Sequence, residues 1–284
     1  MTSLYDNIIF GPIRSRRLGL SLGVNLLPID SKLCSFDCIY CECGWNDEHP
    51  GKRRFNARED VSTMLAETLQ KMVKDGTPPD VITFAGNGEP TLHPEFEQII
   101  GDTIALRDRY CPAAKVSVLS NATQIHRDDV RRALLRVDNN ILKLDSAFDS
   151  TVQLINKPQG NYTVERTVEL LKAFEGKLIV QTMFLRGEYL SKRVDNTTNE
   201  QRNSQSIDDR HGNEDEQIGH LTHGHLLCPV TDDTEDGKKS QGETYLNLHT
   251  SQQEYHEEDT QADEGESKVI VASFTFGIIQ FVND

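Results

Sequence analysis

The sequence predicts an α/β protein in which short buried strands alternate with amphipathic helices. The first observation is periodicity, because short apolar runs bounded by Gly, Pro or polar residues are separated by longer segments with apolar residues at helical spacing. The second is that the apolar runs are continuous, as in parallel strands that are buried on both faces. Repeated strand and helix units indicate a parallel sheet covered by helices, either a doubly wound open sheet or a barrel.

Strands and helices can be assigned along the first two thirds of the chain. The apolar runs that predict strands lie at residues 22–27, 80–86, 115–119, 141–145 and 178–185. Helical spacing of apolar residues predicts helices at residues 57–75, 95–107, 127–136 and 163–174. Because ligands gather at the carboxyl ends of parallel strands, residues that directly follow these runs are the candidates for a functional site.

The acidity of the chain is local. Residues 191–268 contain 19 Asp and Glu against 7 Lys and Arg, which accounts for most of the formal net charge of −15 over 284 residues. This polar segment has few apolar residues and is predicted to be disordered, since it cannot bury enough surface to offset the cost of ordering. The sequence therefore predicts a core at residues 1–190, the acidic segment, and an apolar strand at 269–284. That strand either completes the barrel or belongs to an aberrant end with an exposed sheet edge.

Hydropathy and cysteine usage predict a cytoplasmic protein. No apolar run is long enough to cross a bilayer, and residues 1–7 do not resemble a secretory leader, so no membrane partner is expected. Four of the six cysteines lie between Cys34 and Cys43, which favours metal binding in a reducing compartment over disulfides. Cys111 and Cys228 have no partner nearby in sequence, and free cysteines of this kind are usually small buried hydrophobes.

The central motif is Cys34-x3-Cys38-x2-Cys41, just after the first predicted strand. Three thiolates in one loop can bind three irons of a four-iron, four-sulfur (4Fe-4S) cluster and leave the fourth iron open, whereas closed clusters take four ligands. The alternative is a structural zinc site that Cys43 would close as the fourth cysteine, although the Cys41-x-Cys43 spacing is tighter than usual. The cysteines alone do not decide between the two.

A second motif follows the next predicted strand. The sequence Gly86-Asn87-Gly88-Glu89-Pro90 places glycines where the backbone can approach a ligand closely. Backbone carbonyls, or the carboxylate of Glu89, could accept hydrogen bonds from an ammonium group. Taken alone, this motif indicates only a glycine turn. Its position one helix and one strand after the cysteines supports a ligand-binding role, because the order of the two motifs provides structural context.

In this order the two motifs resemble the radical S-adenosylmethionine (radical SAM) superfamily, whose cysteine signature also has an aromatic residue, here Tyr40, before the last cysteine. The resemblance implies a partial (β/α)6 barrel. It implies a 4Fe-4S cluster on Cys34, Cys38 and Cys41, with SAM as second cofactor. Reductive cleavage of SAM would yield a 5′-deoxyadenosyl radical that removes hydrogen from a substrate. An electron donor such as flavodoxin or ferredoxin would supply the electron.

The resemblance also assigns further residues to SAM. Tyr40 would pack near the adenine, and residues 86–90 would hold the methionine amine. Ser120, Asn121 and Asp145 follow predicted strands and resemble family residues that contact the ribose and carboxylate of SAM. Strand-end capping is the alternative role for these three residues. No catalytic acid or base can be named.

The opening of the chain, residues 10–23, and residues 195–198 are similar to prokaryotic proteins related to the wybutosine-synthesis enzyme. This similarity suggests tRNA as a substrate, with a small molecule or a peptide as alternatives. Arg14, Arg16 and Arg17 could bind an anionic group, or form a basic rim with residues 52–54. The competing interpretations are a non-catalytic zinc or iron–sulfur module and an impaired enzyme. The tract His220-x2-His223-x-His225-x2-Cys228 is a compositional metal signal only.

Overall fold

A computed structural model describes residues 3–48, 51 and 54–196, together with the backbone of three further strands. The strands are β1 Ile9–Ser15, β2 Gly19–Val24, β3 Val81–Phe84, β4 Lys115–Ser120, β5 Asn139–Lys143, β6 Ile179–Tyr189 and β7 Lys192–Asp195, followed by β8 His225–Leu227, β9 Tyr245–Thr250 and β10 Val269–Phe281. The helices are α1 Arg58–Lys74, α2 Phe96–Tyr110, α3 Asp128–Leu134, α4 Asp149–Ile155 and α5 Val164–Lys172, with a 3-10 turn at Pro90–Leu92.

All ten strands form one sheet with the order β1-β2-β3-β4-β5-β6-β10-β9-β8, and β7 pairs with β6 beside this path. The strands from β2 to β6 pair in parallel, each with the next, and helices connect most of them. This arrangement confirms the α/β class and the parallel sheet. The position beside β6 is filled by β10, which runs antiparallel to β6, whereas a sixth β/α unit would add a parallel strand.

The parallel strands form because their side chains are buried from both sides. Every residue of β3, for example, is buried, and its neighbours β2 and β4 contribute Leu22, Val24, Val116 and Val118 to the same hydrophobic core. The predicted strand at residues 22–27 ends earlier, at Val24, because the side chain of Asn25 turns back to accept a hydrogen bond from the Leu27 amide at 3.1 Å.

Six elements were not predicted, among them β8 and β9, which lie within the acidic segment 191–268. β1 pairs antiparallel with β2 although it contains Gly11-Pro12, which interrupts its register. α4 is only seven residues long and follows a strand end without a long apolar pattern. β7 forms a hairpin with β6 beyond the predicted strand end at residue 185. The 3-10 turn begins at Pro90, inside the second motif.

Helix α1 covers the sheet through one apolar face. Val61, Leu65, Leu69 and Met72 are buried along it, and Leu65 is fully inaccessible. The neighbouring side chain of Met64 is 36% exposed.

We expect Leu65→Ala to lower the free energy of unfolding by about 2–5 kcal/mol, because it removes buried methyl groups and leaves a cavity against the sheet. Chemical denaturation followed by circular dichroism measures this change. Met64→Ala is the matched control and should change stability by less than about 1 kcal/mol. Equal losses in the two variants would show that α1 does not pack on the sheet through this face.

The domain division at residues 190 and 268 stays a prediction. Much of the acidic segment lies outside the described residues, as do Cys228 and the side chains of the His tract. Within the part of the chain that the structure describes, no helix is long and apolar enough to span a membrane.

Candidate functional site

The two motifs meet at the carboxyl edge of the sheet. The cysteine loop, residues 33–46, follows β2, and the glycine turn, residues 86–90, follows β3. Leu33 and Gly88 form an isolated parallel bridge. The Leu33 amide donates to the Asn87 carbonyl at 2.9 Å, and the Glu89 amide donates to the Leu33 carbonyl at 3.0 Å. The chain therefore hydrogen-bonds the start of the cysteine loop directly to the glycine turn.

The opposite side of the cysteine loop is held by the segment that follows α4. Phe36 and Pro158 form an antiparallel bridge, and the Ile39 amide donates to the Ile155 carbonyl at 2.9 Å. The Gln159 amide donates to the Ser35 carbonyl at 2.8 Å. The loop thus lies between two backbone segments that come from distant parts of the sequence.

Two asparagine amides contact the cysteine sulfurs. The side-chain nitrogen of Asn156 lies 3.3 Å from the sulfur of Cys38, and that of Asn121 lies 3.6 Å from the sulfur of Cys34. Cys34, Cys38 and Cys41 are all partly exposed free thiols. Burial of the sulfurs raises the pKa of Cys34 and of Cys38 in the absence of a metal. N–H donors aimed at sulfur suit metal-bound thiolates, because such hydrogen bonds stabilise charge on the sulfur.

Cys43 does not face the solvent with the other three. Its side chain is buried, and its sulfur lies 3.6 Å from the Gly86 carbonyl oxygen. A hydrogen bond from Cys43 is the main cause that lowers the pKa of Cys41, and the same contact raises the pKa of Cys43.

A buried lysine lies behind the cysteine loop. Lys32 donates to the Asp37 carboxylate at 3.1 Å and to the Gly44 carbonyl at 2.6 Å. Burial opposes the charge of Lys32, but Cys41, Cys34 and Asp37 outweigh that cost and raise its pKa.

Tyr40 belongs to a polar network on the other side of the loop. Its hydroxyl donates to the carboxylate of Asp145 and accepts hydrogen bonds from Lys143 at 2.8 Å and from Asn156 at 3.0 Å. Asn156 also donates to Asp145 at 2.6 Å, and Asp145 accepts from the Met183 amide at 2.8 Å. Burial and then the charge of Asp145 raise the pKa of Tyr40. Asp145 thus joins the cysteine loop to β5, α4 and β6.

Glu89 joins the glycine turn to the end of β4. Its buried carboxylate accepts from the Thr91 amide at 3.1 Å, the Ser120 hydroxyl at 2.8 Å and the Asn121 amide at 2.6 Å. Burial raises the pKa of Glu89, while these hydrogen bonds act in the opposite direction. Four predicted site residues, Glu89, Ser120, Asn121 and Asp145, therefore lie at the same edge, with side chains engaged inside the protein.

Asn87 has a role that the sequence did not indicate. Its side chain is inaccessible, donates to the carbonyls of Tyr5 and Pro28 at 2.8 Å each, and accepts from the Tyr5 amide at 2.8 Å. Gly86 and Gly88 have φ angles of +132° and +140°, a region that favours glycine. Asn87 thus ties the N-terminal segment to the glycine turn.

The donor set fits a 4Fe-4S cluster bound by three cysteines. The three thiols share one loop, N–H donors lie at two of the sulfurs, and a lysine lies on each side of the loop, of which Lys32 is buried. In residues 3–48, 51 and 54–196, no three His, Cys, Asp or Glu side chains are grouped closely enough to hold a single metal ion. A cluster does not require such convergence, since each thiolate binds its own iron.

The arginines of the opening segment lie at the other edge of the sheet. The hairpin between β1 and β2 pairs Arg14 with Leu20 and Ser15 with Gly19, at the amino end of β2. The Leu20 amide donates to Asp80, which precedes β3, at 2.7 Å. Arg14, Arg16 and Arg17 therefore lie away from the cysteine loop, which follows the carboxyl end of β2. The basic rim with residues 52–54 stays a prediction, since residues 52 and 53 lie outside the described residues.

Sequence reasoning missed Lys32, Asn46 and Asn156. Lys32 offers a weak signal, since it is a lone basic residue two positions before Cys34. Asn156 offers none, because it reaches Cys38 only through the tertiary packing of the segment after α4.

A family model, several relatives and a solved structure are similar to parts of this chain. The family model described as the radical SAM superfamily matches residues 29–196. A UPF0026 protein of Methanocaldococcus jannaschii is 35% identical over 183 residues, and one of Helicobacter pylori strain J99 is 31% identical over 183 residues. These alignments cover 63% of this chain and 54% and 57% of the relatives, so the chain spans little more than half of their length. A crystal structure of archaeal TYW1 is 12% identical, with a TM-score of 0.33, over 58% of this chain and 64% of that one.

Proposed function

The chain belongs to the radical SAM superfamily, and from this premise we propose that it is an enzyme that binds a 4Fe-4S cluster through Cys34, Cys38 and Cys41 and cleaves SAM reductively. One observation carries the proposal. The cysteine loop and the glycine turn, which are 40 or more residues apart in sequence, are hydrogen-bonded to each other through Leu33 at the carboxyl edge of the parallel sheet. Ligands of such sheets bind at this edge.

The protein's own residues would bind and orient the cofactors. When bound, the cluster would supply one electron to SAM, and the resulting 5′-deoxyadenosyl radical would take a hydrogen atom from the substrate. Asn121 and Asn156, whose side-chain nitrogens lie 3.6 Å and 3.3 Å from the sulfurs of Cys34 and Cys38, would donate hydrogen bonds to those sulfurs. The backbone of residues 86–90 would contact the methionine amine, since the side chains of Asn87 and Glu89 are engaged internally.

Tyr40, Ser120, Asn121 and Asp145 are proposed to line the SAM site. In the structure they form the rim beside the cysteine loop, and Tyr40 and Asp145 share one hydrogen-bonded network. Their present role is to hold the rim in place, which pre-organises a site for a flexible ligand. We propose that SAM contacts this rim through their remaining hydrogen-bonding capacity and through the faces of their side chains.

The substrate is proposed to be a small molecule, a peptide or a tRNA. The position of the arginine hairpin at the opposite edge removes one argument for tRNA, because nucleic-acid binding draws on Lys and Arg contacts to phosphate near the site. An external donor such as flavodoxin or ferredoxin is proposed to reduce the cluster.

The proposal is tested by anaerobic reconstitution of the full chain, followed by iron and sulfide analysis and by EPR of the reduced protein with and without SAM. We expect four irons and four sulfides per chain, as the proposed cluster contains about four of each, and an EPR signal that changes when SAM is added. Stoichiometric zinc without sulfide would overturn the proposal and leave a structural metal module. A four-iron signal that SAM does not change would leave an iron–sulfur module without radical SAM chemistry.

A further inference from the structure

Lys32 is fully buried, with 1% exposure, although it carries a charged side chain. Its ammonium group donates to two acceptors within the cysteine loop, the Asp37 carboxylate at 3.1 Å and the Gly44 carbonyl oxygen at 2.6 Å. These acceptors lie on either side of Cys38 and Cys41 in the sequence. A charged group in the interior is costly, so its presence directly behind the metal-binding loop requires an explanation.

Asp37 connects this charge to the first cysteine. Its carboxylate accepts from the amide of Asn46 at 2.9 Å and from the side-chain nitrogen of Asn46 at 2.8 Å. Asn46 in turn accepts from the Cys34 amide at 3.0 Å and donates to the Cys34 carbonyl at 3.1 Å. Gln159 donates to the other oxygen of Asp37 at 3.0 Å. The loop is therefore folded around the Lys32–Asp37 ion pair.

Structural support alone does not account for the pair. A buried ion pair contributes little stability compared with apolar residues of the same volume. The two members of the ion pair also differ in solvent exposure, since Lys32 is fully buried whereas the Asp37 side chain is 18% exposed. Water therefore screens the carboxylate more than the ammonium, and the electrostatic effect of the pair on buried neighbours is dominated by the positive charge.

We propose that Lys32 is a positioning residue that raises the reduction potential of the cluster held by the cysteine loop, and that Asp37 opposes this effect. The inference rests on the proposed function, since it concerns the same cluster. Reduction adds one electron to a cluster that three thiolates already make negative, so a fixed ammonium group beside it favours the reduced form. A carboxylate at the same place favours the oxidised form. Charge near the cluster and hydrogen bonds to its sulfurs are known to set such potentials.

A second lysine lies on the far side of the loop. Lys143 is 3.5 Å from Asp145 and donates to Tyr40 at 2.8 Å, while Asn156 connects the same network to Cys38. Lys143 thus contacts the loop through the Tyr40 side chain, whereas Lys32 contacts it through Asp37 and the Gly44 carbonyl. Because the Lys143 side belongs to the proposed SAM rim, the effect of Lys32 is measured without SAM.

The test compares Lys32→Met and Asp37→Asn with the wild-type protein, each reconstituted anaerobically without SAM and titrated potentiometrically under EPR. We expect Lys32→Met to lower the ratio of reduced to oxidised cluster about tenfold at a fixed potential, which is a shift of about 59 mV to more negative values. Asp37→Asn should shift the potential in the opposite direction by a smaller amount. Lys172→Met is the control, because Lys172 is a helix-surface residue paired with Glu169, and it should not change the potential.

The outcomes separate this inference from the proposed function. If the wild-type protein forms a cluster that responds to SAM but neither variant shifts the potential, or both shift it in the same direction, the inference is wrong and the proposed function stands. If Lys32→Met fails to hold iron, Asp37→Asn and Lys32→Arg decide. A positive shift of the reduction potential in Asp37→Asn and a near wild-type potential in Lys32→Arg support the inference. The absence of these two results overturns it. If the wild-type protein forms no cluster, both fall together.

Discussion

Replacing Cys38 by Ala is expected to abolish the iron–sulfur cluster, and Cys34→Ala and Cys41→Ala should do the same. Each thiolate is proposed to bind one iron, so no single loss can be compensated by the other two. Iron content per chain and the visible absorption of the reconstituted protein measure the result. We expect iron to fall by about tenfold or more, in line with the loss in affinity that follows changes even to groups around metal ligands.

Cys43→Ala and Cys111→Ala are the matched controls. Cys43 lies in the same loop but directs its sulfur to the Gly86 carbonyl, and Cys111 is a buried residue at the end of α2. Both variants should keep the full iron content and the EPR signal. If Cys43→Ala lost the metal as completely as Cys38→Ala, four cysteines would close the site, and the open iron required for SAM would not exist.

The strands of this fold could be predicted because their environment is uniform. A residue run such as 81–84 is buried on both faces, so every side chain in it must be apolar, and the signal is local. β1 was missed for the opposite reason. It is an edge strand with exposed residues, a glycine and a proline, and it exists only because β2 offers a free edge for pairing.

The candidate site could be predicted only in part. Motif spacing identified the cysteines, the glycine turn and the residues at strand ends, because strand direction brings those ends together. It did not show that Glu89 and Asp145 turn inward, since the direction of a side chain depends on partners such as Ser120 and Met183. Motif spacing also could not predict the ion pair between Lys32 and Asp37. Two charged residues five positions apart in a loop form such a pair only when the folded loop brings them together.

The contact between the two motifs makes Gly88 the most demanding position of the glycine turn. A Cβ atom at Gly88 would lie 1.9 Å from the carbonyl oxygen and 2.5 Å from the carbonyl carbon of Leu33. These are backbone atoms, which cannot rotate away as a side chain could. The φ angle of +140° adds strain of roughly 1–3 kcal/mol for any residue other than glycine.

We therefore expect Gly88→Ala to separate the cysteine loop from the glycine turn and to lower the free energy of unfolding by more than about 3 kcal/mol, since a backbone overlap adds to the strain. Denaturant unfolding of the metal-free protein measures the loss, and iron content after reconstitution measures its effect on the site. Gly76→Ala is the control. Gly76 also has a positive φ angle, +73°, but a Cβ there meets nothing within 4 Å, so the expected cost is about 1–2 kcal/mol with full iron content.

Comparison of Gly88→Ala with Gly76→Ala separates the cost of a positive φ angle from the cost of the overlap with the Leu33 carbonyl. If Gly88→Ala cost no more than Gly76→Ala and still bound iron, the bridge between Leu33 and Gly88 would not be what holds the two motifs together. If it lost stability and iron together, the bridge would be needed both for the fold of the loop and for its metal. That coupling is expected, because both the amide and the carbonyl of Leu33 hydrogen-bond to the glycine turn, at 2.9 Å and 3.0 Å.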